Sequence, residues 1–171
     1  VGRLNSQKNH KLLLRAFATF AKRHGNYVLE IYGQGELEAE LKALAAELGI
    51  DRSVIFKGFS TKVLADIRTA SMFVLSSDYE GISNSMLEAM ALGLPVIATD
   101  CPIGGSRMYI RDGENGLLVP VGDVSALAYA MGRLADEPAL GERFGREVVK
   151  LREDLTTAKI AERFLEWGQQ R

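Results

Sequence analysis

The chain has 171 residues, a net charge of −1 and 47% hydrophobic residues. That is one domain by length, with enough apolar material for a sizeable core. The near-neutral balance argues against nucleic acid or an anionic membrane as a partner, and no apolar run approaches the roughly 18 residues of a membrane span. The single cysteine, Cys101, excludes an intrachain disulfide. With no visible signal peptide, it fits a reducing, cytoplasmic setting.

The opening Val1-Gly2-Arg3 lacks a Met and reads as a chain cut within a strand, so a piece of a longer protein is expected. Residues 1–4 are the strand's tail, and 5–9 form a polar loop carrying Lys8. Leu12, Leu13, Ala16, Phe17 and Phe20 recur at helical spacing through 10–23. Arg3, Lys8 and Lys11 therefore gather around a strand-to-helix turn, where cations and a helix N-terminus suit a diphosphate. A solvated basic loop is the plainer reading. Gly25-Asn26 stops the helix, and 27–32 is rich in β-formers.

Gly33-Gln34-Gly35 follows, then a helix over 36–48 with Leu37, Leu41, Leu44, Ala45 and Leu48 on one face. Glu38 stands where a Gly-x-Gly-x-x-Gly fingerprint needs its third glycine, and its charge opposes a pyrophosphate. A tight turn with close backbone approach is expected rather than NAD binding. A strand over 53–57 ends in Gly58-Phe59, and a short helix covers 61–69. The apolar run 72–75 is the next strand, and 96–99 follows after Gly93-Leu94-Pro95 has ended a helix. The loop 100–106 carries Gly104-Gly105, read as a flexible turn or as backbone packed against a ligand. Residues 107–111 are expected as a short helix, 112–116 as a turn and 117–119 as a strand. Helices over 125–135, 139–151 and 156–169 complete the chain.

Strands alternate with helices six times. This predicts an α/β fold, a Rossmann-like three-layer sandwich with a six-stranded parallel sheet, and no internal boundary within 1–171. Loops 5–9, 33–35, 58–60, 76–84 and 100–106 then share one edge, the predicted binding face. On that edge Glu80 and Glu88 stand with seven residues between them, Glu80 in a turn and Glu88 about one turn into a helix. Two such carboxylates suit a ligand's hydroxyls. Alternatively, Ser85-x-x-Glu88 is a capping box and Glu80-Gly81 an ordinary turn.

The string from Glu80-Gly81-Ile82-Ser83-Asn84-Ser85 through Glu88 to Gly93-Leu94-Pro95-Val96 resembles the E-x7-E signature of retaining glycosyltransferases of the group 1 (GT4) type. Val1-Gly2-Arg3-Leu4 with Lys8, Gly33-x-Gly35 and the run Arg111-Asp112-Gly113-Glu114-Asn115-Gly116 resemble further segments of that family, in order along nearly the whole chain. Members have two Rossmann-like halves, the GT-B arrangement. The N-terminal half binds the acceptor and the C-terminal half the nucleotide-sugar donor, and this chain resembles the C-terminal half.

The resemblance implies transfer of a sugar, with retention, from a nucleotide-diphosphate sugar such as a UDP-sugar to a glycan or lipid-linked acceptor in polysaccharide biosynthesis. It implies that Arg3 and Lys8 pair with the diphosphate, that Glu88 accepts bonds from the ribose, and that Glu80 faces the donor sugar as the catalytic carboxylate. Backbone N–H groups of Gly81, Ile82, Ser83 and Asn84 would meet phosphate or sugar, and Gly58 and Phe59 would border the base. With no Asp-x-Asp pair and two cations at hand, neither metal nor cofactor is expected.

The implied partners are the nucleotide-sugar and the missing acceptor half. The full-length protein is expected in the cytoplasm, peripheral to the inner face of a membrane, and the piece alone should transfer no sugar. Two positions depart from the pattern. Ser83-Asn84 stands where many members carry Gly at the first position, and Arg107-Met108 replaces an acidic residue. The rival readings are another GT-B enzyme, a sugar-nucleotide epimerase or a phosphorylase, and a non-catalytic module. In the module Phe164 and Trp167 would form a docking stripe, for which core packing is the plainer account.

Overall fold

A computed structural model describes residues 1–102 and 104–149. The helix expected over 156–169, with its Phe164 and Trp167, lies outside the described residues. Five strands, β1 (Leu29–Tyr32), β2 (Val54–Gly58), β3 (Phe73–Leu75), β4 (Val96–Thr99) and β5 (Leu117–Val119), alternate with helices. The helices are α1 (His10–Ala21), α2 (Glu38–Glu47), α3 (Val63–Ile67), α4 (Asn84–Ala91), α5 (Val124–Asp136) and α6 (Pro138–Val149).

The α/β class and parallel pairing hold, but the single six-stranded sheet does not. Among the described residues the five strands form two parallel sheets, β1-β2 and β3-β4-β5. Residues 1–4, expected as strand, hydrogen-bond to the end of β1 without joining a ladder. The Gly2 N–H donates to the Tyr32 carbonyl (2.9 Å) and the Leu4 N–H to that of Gln34 (3.0 Å). At Gly33 the backbone leaves strand geometry, with φ 138°, so this pairing runs on into a turn. A cavity of about 560 Å³ lies between β1 and β3, lined by residues 27–32 and 69–76.

Side chains on successive strand residues point to opposite faces, and this divides the core. Ile97, Leu117 and Val119 join Leu13, Phe17, Leu127 and Met131 of α1 and α5 in one cluster. Val96, Ala98, Phe73 and Leu75 join Met86, Met90 and Val148 of α4 and α6 in another. All four residues of β4 are buried, as a strand covered by helices on both faces must be.

Local chemistry sets the helix ends. Asn9, at φ 41°, accepts from the Leu12 N–H (3.0 Å) and starts α1. Asp123 accepts from Ala126 (2.8 Å) and starts α5. Gly93, at φ 81°, ends α4 ahead of Pro95. The short helix expected over 107–111 is a turn instead. Asn115 holds the Arg111 N–H (2.7 Å) and the Tyr109 carbonyl (3.0 Å) while Ile110 enters the core, so the coil cannot propagate.

Candidate functional site

The loops that leave the strand ends are tied into one rim. The Gly33 N–H donates to the Gly58 carbonyl (2.8 Å). Gly33 also presses on Gly2 so closely that a Cβ there would lie 1.8 Å from the Gly2 oxygen. This is the close approach expected of Gly33-x-Gly35, and glycine is needed for both space and its positive φ. On the other side Gly105 abuts Gly81, where a Cβ would come within 1.6 Å of the Gly81 oxygen. The Gly104-Gly105 loop is therefore packed against the turn that carries Glu80.

Between these contacts, loop 5–9 and loop 76–80 are clipped together. The Ser76 hydroxyl donates to the Lys8 carbonyl (2.8 Å), the Asp78 N–H to the Gln7 carbonyl (2.9 Å), Gln7 Nε2 to the Tyr79 carbonyl (3.1 Å) and Asn9 Nδ2 to Asp78 Oδ1 (2.6 Å). Held in this way, Lys8 Nζ donates directly to Glu80 Oε2. The Ser77 hydroxyl reaches the same oxygen (3.2 Å). Both bonds fall on Oε2, which leaves Oε1 for a further donor. Beneath the turn, the Ser77 carbonyl accepts from Thr99 Oγ1 (2.5 Å) and from the Cys101 thiol (3.1 Å). Burial pushes the pKa of that thiol up, and nearby carboxylates add to the effect. Cys101 is thus a neutral donor that braces the turn, with no thiolate to act as nucleophile.

Glu88 sits in the second turn of α4, exposed, with no side-chain hydrogen bond or ion pair among the described residues. The capping-box alternative is overturned. The cap is Ser83, whose hydroxyl accepts from Met86 (3.4 Å), so Glu88 lies two residues too far along to close a box. The first-turn N–H groups of Asn84 and Ser85 have no intrahelical acceptor by helix geometry. Arg3 is exposed and without an ion pair among the described residues. Lys11 leaves the expected cation cluster to pair with Glu40 (2.6 Å). Gly81, Ile82 and Asn84 are exposed, whereas Ser83 is buried. Gly58 (φ 68°) lies beyond Gly33, followed by Phe59, which is 74% exposed. Arg107 pairs with Asp100 instead of supplying charge to the rim.

Of the residues expected at the site, the structure bonds Lys8 to Glu80 and leaves Glu88 exposed on α4. Sequence reasoning missed Asn9, Asp78, Ser77 and Thr99, which hold the Lys8–Glu80 pair in place. Asn9 directly before the first helix is an N-cap signal. Its second bond, 69 residues away, leaves no local trace.

Among the described residues no helix is long and apolar enough to cross a membrane. The family model for glycosyl transferases group 1 matches residues 1–150. An uncharacterized glycosyltransferase of Haemophilus influenzae is 32% identical over 98% of this chain and 46% of its own length. The Campylobacter jejuni N-acetylgalactosamine-N,N'-diacetylbacillosaminyl-diphospho-undecaprenol 4-alpha-N-acetylgalactosaminyltransferase is 31% identical over 94% of this chain and 43% of its length. The chain thus spans less than half of these curated relatives. A solved Staphylococcus aureus TarM variant, in complex with Fondaparinux, alpha-GlcNAc-glycerol and UDP, superposes with TM-score 0.90 at 26% identity, over 96% of this chain and 34% of that one. A two-layered helical cover on parallel strands, a lysine bonded to a turn glutamate and a match over residues 1–150 converge on one assignment: the chain belongs to the group 1 glycosyl transferases, with a Rossmann-like half of the GT-B architecture.

Proposed function

We propose that the chain is the C-terminal, donor-binding half of a retaining glycosyltransferase that moves a sugar from a UDP-sugar to a glycan or lipid-linked acceptor in polysaccharide biosynthesis. The observation that carries this reading is the bonded pair Lys8–Glu80, drawn from 72 residues apart to the strand-end rim beside the N-terminus of α4. Cleavage of a sugar–phosphate bond builds negative charge on the departing diphosphate. Lys8, Arg3 and the first-turn amides Asn84 and Ser85 are fixed positive groups suited to it. Glu80 offers its free oxygen to a donor-sugar hydroxyl while Lys8 holds the other. Glu88, unpartnered on the adjacent helix, accepts from the ribose hydroxyls, and Phe59 borders the base. The exposed backbone at Gly81, Ile82 and Asn84 meets phosphate or sugar. The cations take the role a metal would otherwise fill, so the reading calls for no divalent ion.

The named ligand of TarM, UDP, supports the choice of nucleotide. The whole enzyme would act in the cytoplasm, at the inner face of a membrane when its acceptor is lipid-linked. The acceptor half lies elsewhere in the protein, and this half alone turns over no sugar. Calorimetric titration of the protein with UDP, GDP and ADP tests the reading. Saturable binding with UDP preferred is expected, and a folded sample that binds none of the three overturns it.

A further inference from the structure

Asp100 and Arg107 are each tied to the turn that carries Glu80, by different routes. Thr99 and Cys101 both donate to the Ser77 carbonyl, so Asp100, between them, is fixed to the loop that leads into Glu80. Asp78, Glu80 and Asp100 also lie near enough to Cys101 to push its thiol pKa up together. Two residues before Arg107, a Cβ on Gly105 would come within 1.6 Å of the Gly81 oxygen and 3.1 Å of the Ile82 nitrogen. The two routes close where Arg107 Nη2 donates to Asp100 Oδ2. We infer that Arg107 is a further ligand-binding residue: its guanidinium, oriented by Asp100, receives an oxyanion of the molecule held at the Glu80 turn. That oxyanion is a phosphate of the nucleotide or a carboxylate on its sugar. The inference rests on the donor-half reading and adds a residue to it.

A guanidinium carries five N–H donors. The bond to Asp100 spends one of them, and the others have no partner among the described residues. The Arg107 side chain is 67% exposed and that of Asp100 only 22%, so the carboxylate is the fixed member and sets the direction of the cation. The pair cancels much of the charge at a distance but leaves a fork of N–H groups free. Such a fork matches a phosphate or carboxylate with two parallel bonds. A second observation is independent of the pair. Among the described residues three buried side-chain polar atoms lack a hydrogen-bond partner, and two of them are Asp100 Oδ1 and Ser106 Oγ. Ser106 is 1% exposed and stands directly before Arg107. Buried polar atoms without partners are rare, and each calls for an explanation. A ligand that completes the polar network at this corner supplies one.

Calorimetry with uridine, UDP and UDP-glucuronate tests this on the protein, on Arg107→Gln, on Asp100→Asn and on the double variant. Arg107→Gln should weaken UDP about tenfold and leave uridine unchanged, which assigns the oxyanion to a phosphate. A loss confined to UDP-glucuronate assigns it to the sugar's carboxylate. Arg107→Lys should not restore the loss, because an ammonium has no fork. Asp100→Asn should weaken the same ligand about threefold while Arg107 is present, and not at all beside Arg107→Gln. Removing a negative charge near an anion site would by itself tighten binding, so weakening separates orientation from charge. The inference is overturned if Arg107→Gln binds both nucleotides as the unchanged protein does, or if Asp100→Asn tightens them in both backgrounds. A folded protein that binds none of the three ligands overturns the donor-half reading, and the inference with it. Should a variant fail to fold, the Arg107 Nε–H signal in the unchanged protein decides: it should shift as UDP or UDP-glucuronate is added, and a signal that stays put under both overturns the inference.

Discussion

Two sets of charged residues expected at the site are treated oppositely by the fold. Lys8 and Glu80 are half-buried, bonded to each other and surrounded by hydrogen bonds from Ser76, Ser77 and Asn9. Arg3 and Glu88 are exposed and without ion pairs among the described residues. The first pair belongs to the scaffold as much as to any ligand, because removing either member leaves a charge at low exposure. The second pair costs the fold nothing and has its charge free. A residue whose loss is felt only when ligand is present is the stronger candidate for direct recognition.

The largest expected effect tests the scaffold that holds the closed pair. Gly33→Ala puts a methyl carbon into the Gly2 carbonyl at positive φ. It should cost more than about 4 kcal/mol, read as loss of the folded form in thermal or urea unfolding. A tolerated alanine would show that the seam is looser than the rim requires.

Next comes a pH effect on the same side. Burial, with the positive charge of Lys8 nearby, lowers the pKa of His10 to about 4. A native state that resists protonation while the unfolded chain accepts it loses stability as pH falls. The loss begins near the ordinary value of about 6.5 and is complete below about 4, amounting to roughly 3 kcal/mol. His10→Leu should flatten urea-unfolding free energies across that window. An unchanged slope would mean that His10 is wetter than its surroundings suggest.

On the open side, Glu88→Ala should weaken UDP binding by about 2 kcal/mol, the worth of lost charged hydrogen bonds. Stability should move by less than about 0.5 kcal/mol. A stability loss near 1 kcal/mol with UDP affinity intact would return Glu88 to a structural role. For the closed pair, a double-mutant cycle of Lys8→Met and Glu80→Gln should report a coupling of about 1 kcal/mol in stability without ligand. Independent effects would mean that the two side chains do not hold each other in solution. The smallest expected effect is none at all: EDTA should leave UDP affinity unchanged, and a tenfold drop would break the metal-free reading.

Much of this was legible because it is local. The 3.6-residue apolar spacing of Leu13, Phe17 and Phe20 gave α1, and Gly93-Leu94-Pro95 gave the end of α4. The signature around Glu80 and Glu88 marked the turn and the helix that carry them, Glu80 just before α4 and Glu88 within it. What failed depended on distant partners. Residues 1–4 have strand composition, yet β1 ends at Tyr32, so their bonds to Tyr32 and Gln34 run along its end and the following turn rather than along a strand. Residues 107–111 contain nothing against a helix, but Asn115 captures their backbone from outside. Ser85 and Ser83 both resemble caps, and which one serves is decided by where Met86 enters the core. Gly105 could be seen as a flexible position, but its contact with Gly81 exists only once β4 lies beside β3.

The clip between loops 5–9 and 76–80 also bears on how the molecule is born. Its bonds join partners 68–72 residues apart. A nascent chain that has emerged only through β2 carries Lys8 with nothing to grip, and the rim matures when β3 and α4 leave the ribosome and dock. Any small molecule held by both loops thereafter ties early and late segments together, so its concentration should set the temperature at which the whole domain melts.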